Sequence, residues 1–214
     1  MLDELVRRAA ALVDGPHAAG GRAILGIVGC PGAGKTTLAE QLVARLDPEG
    51  TWVARVQMDA FHLADAALDR LGLRDRKGAV ETFDGYGYLA LLRRIHAETG
   101  TTIYAPDFER TIEQPIGSAV PVPPTAKLIV TEGNYLLHDA QPWPQVRAEL
   151  AEVWYVEIPD ALRRERLHVR HVRFGKTPDF AWQWIDSVDE PNARIIARGR
   201  DRADLVIDME RLDP

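Results

Sequence analysis

Eight consecutive residues hold the densest chemistry in the chain: Gly29-Cys30-Pro31-Gly32-Ala33-Gly34-Lys35-Thr36. They satisfy G-x-x-x-x-G-K-[ST], in which glycines let the backbone wrap an anion and aim N–H groups inward. The lysine of such a loop reaches nucleotide β- and γ-phosphates, and the following hydroxyl can ligate Mg²⁺. The setting agrees. Ala23–Val28 reads as a buried strand and Lys35–Leu46 as a helix, so a positive helix end would meet the phosphates. Lysine is scarce here: of 26 basic residues only Lys35, Lys77, Lys127 and Lys176 are Lys. A lysine inside a motif therefore carries more weight than usual. Cys30 reads as a small filler turned away from phosphate rather than as a redox switch.

Two acids follow strand-like runs. Asp59 closes Val56-Gln57-Met58, and Glu132 follows Leu128–Val130 and Thr131. In a parallel sheet the carboxyl ends of strands face the ligand crevice. There Asp59 could take a proton from an attacking alcohol, and Glu132 could hold Mg²⁺ or its water. Each could equally cap the turn or helix that follows. From 160 to 176, five Arg and Lys176 face only Asp160 and Glu165. At helical spacing Arg163, Arg166, Arg170 and Arg173 form one stripe. Alone, such a stripe is a solvated face; beside a phosphate loop it reads as a lid that neutralises charge and excludes water.

The elements that must position these groups alternate. Helix is expected over 2–13, about 85–98, 162–174 and 180–198; strand over 52–58, 101–104, 127–131, 153–158 and 203–207. Strands alternating with helices predict an α/β fold with a parallel sheet covered on both faces. The proline-rich stretch 114–125 is expected as a loop or edge segment. The chain has 214 residues, 46% of them hydrophobic, a formal charge of −6 and one Cys. Those values predict one globular domain over 1–214, without an internal disulfide or a cysteine zinc site, and disfavour a general nucleic-acid binder. Neither a membrane span nor a secretory leader is apparent, so a cytoplasmic protein is expected. A homodimer is left open.

The stretches Gly29–Thr37, Met58-Asp59-Ala60-Phe61-His62-Leu63, Arg76-Lys77-Gly78, Glu81-Thr82-Phe83-Asp84, Tyr104–Arg110, Glu132–Leu137, Arg163–Lys176 and Asn192 through Asp204 span nearly the whole chain. Together they resemble the uridine kinase, pantothenate kinase and phosphoribulokinase group of P-loop kinases. Within it they are most similar to bacterial nucleoside/nucleotide kinase-like and fructose-transport-system kinase-like proteins. The resemblance implies a P-loop NTPase three-layer sandwich with about five parallel strands and an Arg-rich lid at 160–177. Residues 60–125 would be an acceptor-side elaboration. It implies ATP and Mg²⁺, with transfer to a hydroxyl of a small molecule: a nucleoside or sugar first, a pantothenate-like alcohol second. Asp59 would match the base, with Lys35, Arg166 and Arg170 acting on the transferring group. Thr36 and Glu132 would hold metal, while Arg173 and Asn192 would join residues 29–37 around the nucleotide. The polar residues His62, Asp84, Tyr104, Asp107 and Arg110 are the candidates for the acceptor pocket. Ala60 stands where many relatives have Gly, and Pro106 precedes Asp107 where uridine kinases carry a Tyr-Asp pair.

Two other classes stay open. One is a nucleotide-binding accessory ATPase with no small-molecule acceptor. The other is a kinase of nucleoside monophosphates, for which Arg74, Arg76 and Arg110 are the cations available. No N-K-x-D guanine-reading tetrapeptide occurs.

Overall fold

The computed structural model describes residues 1–16, 18 and 21–212. Its centre is a sheet of five parallel strands in the order β2-β5-β1-β6-β7. They are β1 (Ala23–Val28), β2 (Val53–Gln57), β5 (Leu128–Gly133), β6 (Glu152–Glu157) and β7 (Leu205–Asp208). Every residue of β1 and β5 is buried, as their unbroken apolar runs require of central strands covered on both faces. Helices α1 (Leu2–Ala11) and α2 (Lys35–Leu46) cover one face, where Leu5, Ala9, Leu38 and Leu42 pack on Leu25, Ile27 and Trp154. Helices α4 (Gly85–Ala97) and α5 (Trp143–Ala148) cover the other, with Tyr88, Leu92 and Trp143 on Ile24, Ile129 and Val153.

The register brings the chemistry together. Glu132 lies opposite Gln57 of β2 and Ile27 of β1. The segments after β1, β2 and β5 therefore leave the same edge of the sheet side by side. Asp59 follows β2 in a short 3-10 turn, Met58–Phe61. Ala60 lies within that right-handed turn and is buried, so its methyl needs no glycine-only backbone.

Of the two forms expected for 114–125, loop or edge segment, residues 114–122 take the second: β4 (Gln114–Val122) pairs antiparallel with β3 (Ile103–Glu109) in a separate two-stranded ribbon. Pro115 and Pro121 are accommodated there because half of the N–H groups in such a ribbon point away from the partner strand. The predicted 101–104 strand accordingly runs further, to Glu109. The expected helix over 180–198 is interrupted. Helix α7 (Pro178–Trp184) widens into a π turn, Ile185–Asp189, before α8 (Glu190–Ala197). Pro191 has no N–H to continue the regular ladder, and the wider turn absorbs that loss. Two short helices, α3 (Asp65–Leu71) and α5, were not expected from periodicity. Between α5 and α7 runs α6 (Asp160–Arg173).

Arg22 anchors the edge of the sheet opposite the site. It is 1% exposed, and its guanidinium donates to Ala126 O at 3.1 Å, Ile95 O at 3.0 Å, Glu98 O at 3.1 Å and Pro123 O at 2.9 Å. It thus ties α4 to the connection between β4 and β5. Replacing it by Met keeps most of the volume and strands four carbonyls. Arg22→Met is expected to lower the unfolding free energy by about 3 kcal/mol, read by denaturant titration.

Candidate active site

The phosphate loop fills the gap between β1 and α2. Gly34, the residue before α2, has φ +97°, a conformation glycine adopts without strain. The backbone N–H groups of Gly34, Lys35, Thr36 and Thr37 have no acceptor among the described residues. They are the open donors of a helix start, aimed where an anion would sit. Lys35 is 9% exposed, and its Nζ donates to Gly29 O at 2.9 Å and Cys30 O at 3.2 Å. Burial pushes this ammonium below its ordinary range, while Glu132 and Asp59 pull it back up. Thr36 Oγ1 donates to Glu132 Oε1 at 3.1 Å.

Two cavities meet beside this loop. The outer one, about 540 Å³, is bordered by Gly32, Gly34, Lys35, Thr36, Thr37 and the guanidinium-bearing face of α6. The inner one, about 130 Å³, holds Asp59, His62, Lys77, Asn134 and Lys176 among its walls. Arg110, Arg170 and Phe174 belong to both. Asp59 Oδ2 lies 3.3 Å from Arg110 Nη2. His62 donates from Nδ1 to Asp59 O at 2.8 Å and packs its ring on Phe83.

The charges set the two acids apart. Burial pushes the Asp59 carboxyl up, but His62, Arg110, Lys35 and Arg170 outweigh it and hold Asp59 below the usual carboxylate range. Glu132 goes the other way: burial, then the charge of Asp59, push it above that range against Lys35 and Arg55. Thr36 Oγ1 and the Glu132 carboxylate are hard oxygen ligands. They fit Mg²⁺, which takes one or two carboxylates and completes its shell from phosphates and water. Among the described residues there is no cluster of three or more His, Cys, Asp or Glu able to hold a metal alone, so such an ion would be shared with a nucleotide.

The structure sorts the candidates of the sequence. Thr37, Arg166, Arg170 and Arg173 border the outer cavity with the loop, and His62 and Arg110 line the inner one. Pro31 lines the inner cavity as well. Cys30 points away, its Sγ 3.4 Å from Tyr155 Oη and 3.5 Å from Ala193 O, and Ala33 is buried in the core. Asn192 lines the inner cavity, where its Nδ2 donates to Gly78 O at 3.2 Å. Asp84, Tyr104 and Asp107 do not reach either cavity. Asp84 caps α4 by accepting from Gly87 N at 2.8 Å. Tyr104 is 59% exposed on the ribbon. Asp107 accepts from Phe108 N at 2.9 Å and from Gln57 Nε2.

The arginine stripe also divides. Arg163 is 2% exposed and bonded to Asp160 at 3.0 Å and Pro31 O at 3.4 Å. It braces the loop from behind and does not join the cavity face. Arg74 and Arg76 are engaged by Asp65 at 2.7 Å and Glu81 at 2.6 Å. Sequence reasoning missed the inner-cavity residues Asn134, His171, Trp184 and Asp189. His171 Nε2 and Asp189 Oδ2 are 2.7 Å apart, a contact made by the π turn. Lys77 and Lys176 had a signal, the rarity of lysine, but no assigned place.

A sequence profile of the Phosphoribulokinase / Uridine kinase family matches residues 24–212. The ATP-dependent kinase-like protein notR' of Aspergillus versicolor is 35% identical over 152 residues, 67% of this chain and 88% of that protein. The uncharacterized protein YggC of Escherichia coli is 31% identical over 190 residues, 88% of this chain and 78% of its own. A solved structure from Silicibacter sp. TM1040, provisionally named a fructose transport system kinase, superimposes with a TM-score of 0.86 at 33% identity. It covers 97% of this chain and 98% of that one. Among the described residues, no helix is long and apolar enough to cross a membrane.

A carboxyl that ionises more readily folded than unfolded adds stability above its unfolded pKa, about 3.9 for Asp, and loses it as pH falls through the lower folded value. Asp59 is in that position. Asp59→Asn is therefore expected to unfold at lower denaturant concentration than the parent at neutral pH. The gap between the two should narrow as pH falls below about 3.9, followed by tryptophan fluorescence.

Proposed function

The chain belongs to the Phosphoribulokinase / Uridine kinase family, and from that premise we propose that it transfers the γ-phosphoryl group of ATP to a hydroxyl of a small molecule, with Asp59 beside the attacking oxygen. The observation that carries this reading is the meeting of the two cavities at Arg110 and Arg170, with Lys35 and Thr36 on one side and Asp59 on the other. A nucleotide tail on the loop and an alcohol in the inner cavity would be held end to end. Positioning of this kind is most of what phosphoryl transfer asks of a protein. The whole chain would work as one unit, with residues 60–125 shaping the acceptor side and 160–177 closing over the phosphates.

In this mechanism the open N–H groups of residues 34–37 and the Lys35 ammonium hold the phosphate tail. The alcohol oxygen bonds to the γ-phosphorus as the bridge to the β-phosphate breaks, leaving ADP. The hydroxyl proton passes to Asp59. A carboxylate held below its usual range is a weak base, so Asp59 would mainly orient the hydroxyl and take the proton late, once the new bond has acidified it. Arg170, and Arg166 with Arg173 along α6, would stabilise charge on the transferring group. Mg²⁺, held by Thr36 and Glu132, would neutralise phosphate charge when bound. Lys35 would exchange its two carbonyl acceptors for phosphate oxygens. The family relationship and the phosphate loop support ATP as donor. A nucleoside or sugar hydroxyl, or a pantothenate-like one, is the acceptor chemistry to try first.

ADP release measured with and without a panel of nucleosides, sugars and pantothenate tests the reading. Release that rises with at least one acceptor is expected. Release independent of every acceptor would instead mark an accessory ATPase. Asp59→Asn is expected to keep ATP affinity and lower acceptor-dependent turnover by about 10²-fold or more; unchanged turnover would remove Asp59 from the mechanism.

A further inference from the structure

Three of the four lysines in the chain converge on one site. Lys35 sits in the phosphate loop, and Lys77 and Lys176 line the inner cavity. The placement of Lys176 is built into the end of α6. Gly175 has φ +97°. Its N–H donates to Val172 O at 3.1 Å, and the N–H of Lys176 donates to His171 O at 3.0 Å. This pair of bonds closes a helix through a left-handed glycine and reverses the chain. The reversal sends Lys176 inward, where its Nζ lies 4.9 Å from the centre of the Trp184 ring.

Three acids line the cavity, Asp59, Glu113 and Asp189, and the first and last of them are already committed. Asp59 faces Arg110 at 3.3 Å, and Asp189 faces His171 at 2.7 Å. Lys77 is bound to Asp65 at 2.6 Å. Glu113 is exposed to solvent. Among the described residues, neither Arg170 nor Lys176 has a carboxylate within ion-pair distance. Burial pushes the Lys176 ammonium below its ordinary range, with Arg170 and Lys77 adding to it against the pull of Glu113 and Asp189. Arg170 also borders the outer cavity and is accounted for by the phosphoryl group; Lys176 borders only the inner one.

Size narrows the occupant. The inner cavity measures about 130 Å³, slightly less than the roughly 150 Å³ known to hold a benzene molecule. A short chain of a few heavy atoms fills it, whereas an acceptor as large as a nucleoside would extend into the outer cavity that it meets. A neutral occupant would leave the half-buried Lys176 with the Trp184 ring but no carboxylate within ion-pair distance. An anionic one would make charge-assisted hydrogen bonds to it.

Resting on the kinase reading above, we propose that the acceptor is a short alcohol bearing an anionic group, a carboxylate or a phosphate, which Lys176 anchors while the hydroxyl meets Asp59. Trp184 supports the ammonium from below and Lys77 adds to the field. Of the arginines that the sequence offered for an acceptor phosphate, Arg110 lines this cavity, while Arg74 and Arg76 are engaged by Asp65 and Glu81.

The experiment compares matched acceptors in the ADP-release assay: glycerol, glycerate and glycerol 3-phosphate; ribose, ribonate and ribose 5-phosphate; and uridine. The expected result is stimulation by an anionic member at least about tenfold above its neutral counterpart, with the carboxylate and phosphate arms showing which anion is used. Lys176→Gln should raise the KM for that acceptor by about 10- to 100-fold with little change in the KM for ATP. Lys176→Arg should recover part of the loss. Stimulation by glycerol, ribose or uridine equal to or above that by the anions would overturn the proposal and leave the kinase reading standing. An equal rise in KM for neutral and charged acceptors in Lys176→Gln would overturn it too. Stimulation by no acceptor at all would sink both readings together.

Discussion

Keeping Lys35 charged inside the protein is the constraint on which the rest of the structure depends. Its ammonium is nearly excluded from water and destabilised by burial, with Glu132 and Asp59 as the compensating charges. Those two carboxylates must come from neighbouring strand ends, and they repel each other. The result is a split: Asp59 is held more acidic than usual and Glu132 less so. Such a separation of two nearby acids is how one site can supply different chemical duties. It requires a rigid frame, because a shift of one residue in register would carry Glu132 to the opposite face of the sheet. The fully buried central strands and the anchoring of Arg22 at the far edge provide that frame.

The frame was legible because its signals are local. Continuous apolar runs marked β1, β5 and β6, and the glycine-lysine loop between a strand and a helix marked the anion cradle. The places of Asp59 and Glu132 at neighbouring strand ends were legible for a related reason: in a parallel sheet those ends share one edge, whatever the rest of the fold does. Asp84, Tyr104 and Asp107 were polar residues in a stretch with no such rule. Asp84 spends its carboxylate on the start of α4, Asp107 on Gln57 and its own neighbour, and Tyr104 faces water. Nothing in spacing alone separates a polar group that completes a local turn from one that lines a pocket. β4 was obscured by its prolines, which weigh against a strand unless one knows that it pairs on a single side.

The basic helix shows the same limit in another form. Its stripe of arginines is one periodic pattern, yet its members do different things. Arg163 is inside the fold, bracing the back of the phosphate loop through Pro31 O. Arg170 stands between two cavities, its charge acting on Asp59 and Asp189 across the inner one. Lys176 arrives only because a left-handed glycine turns the chain after the helix ends. Periodicity identifies a face; packing against α7 and the π turn decides which charges that face spends inward.

That π turn has a consequence for how the site can change over time. A helix carrying one residue more than its turn requires is offset from a regular one by about 100° from that point onward. Asp189 and Asn192 come after most or all of the extra backbone, so the direction in which they project is set by chain length as much as by their identity. Losing a single residue between 185 and 189 would leave a helix of nearly the same composition, strained where Pro191 interrupts its ladder and rotated so that a different set of side chains walls the chamber. The molecule thus has a point at which one deletion, without any substitution, would redraw the shape offered to a small molecule.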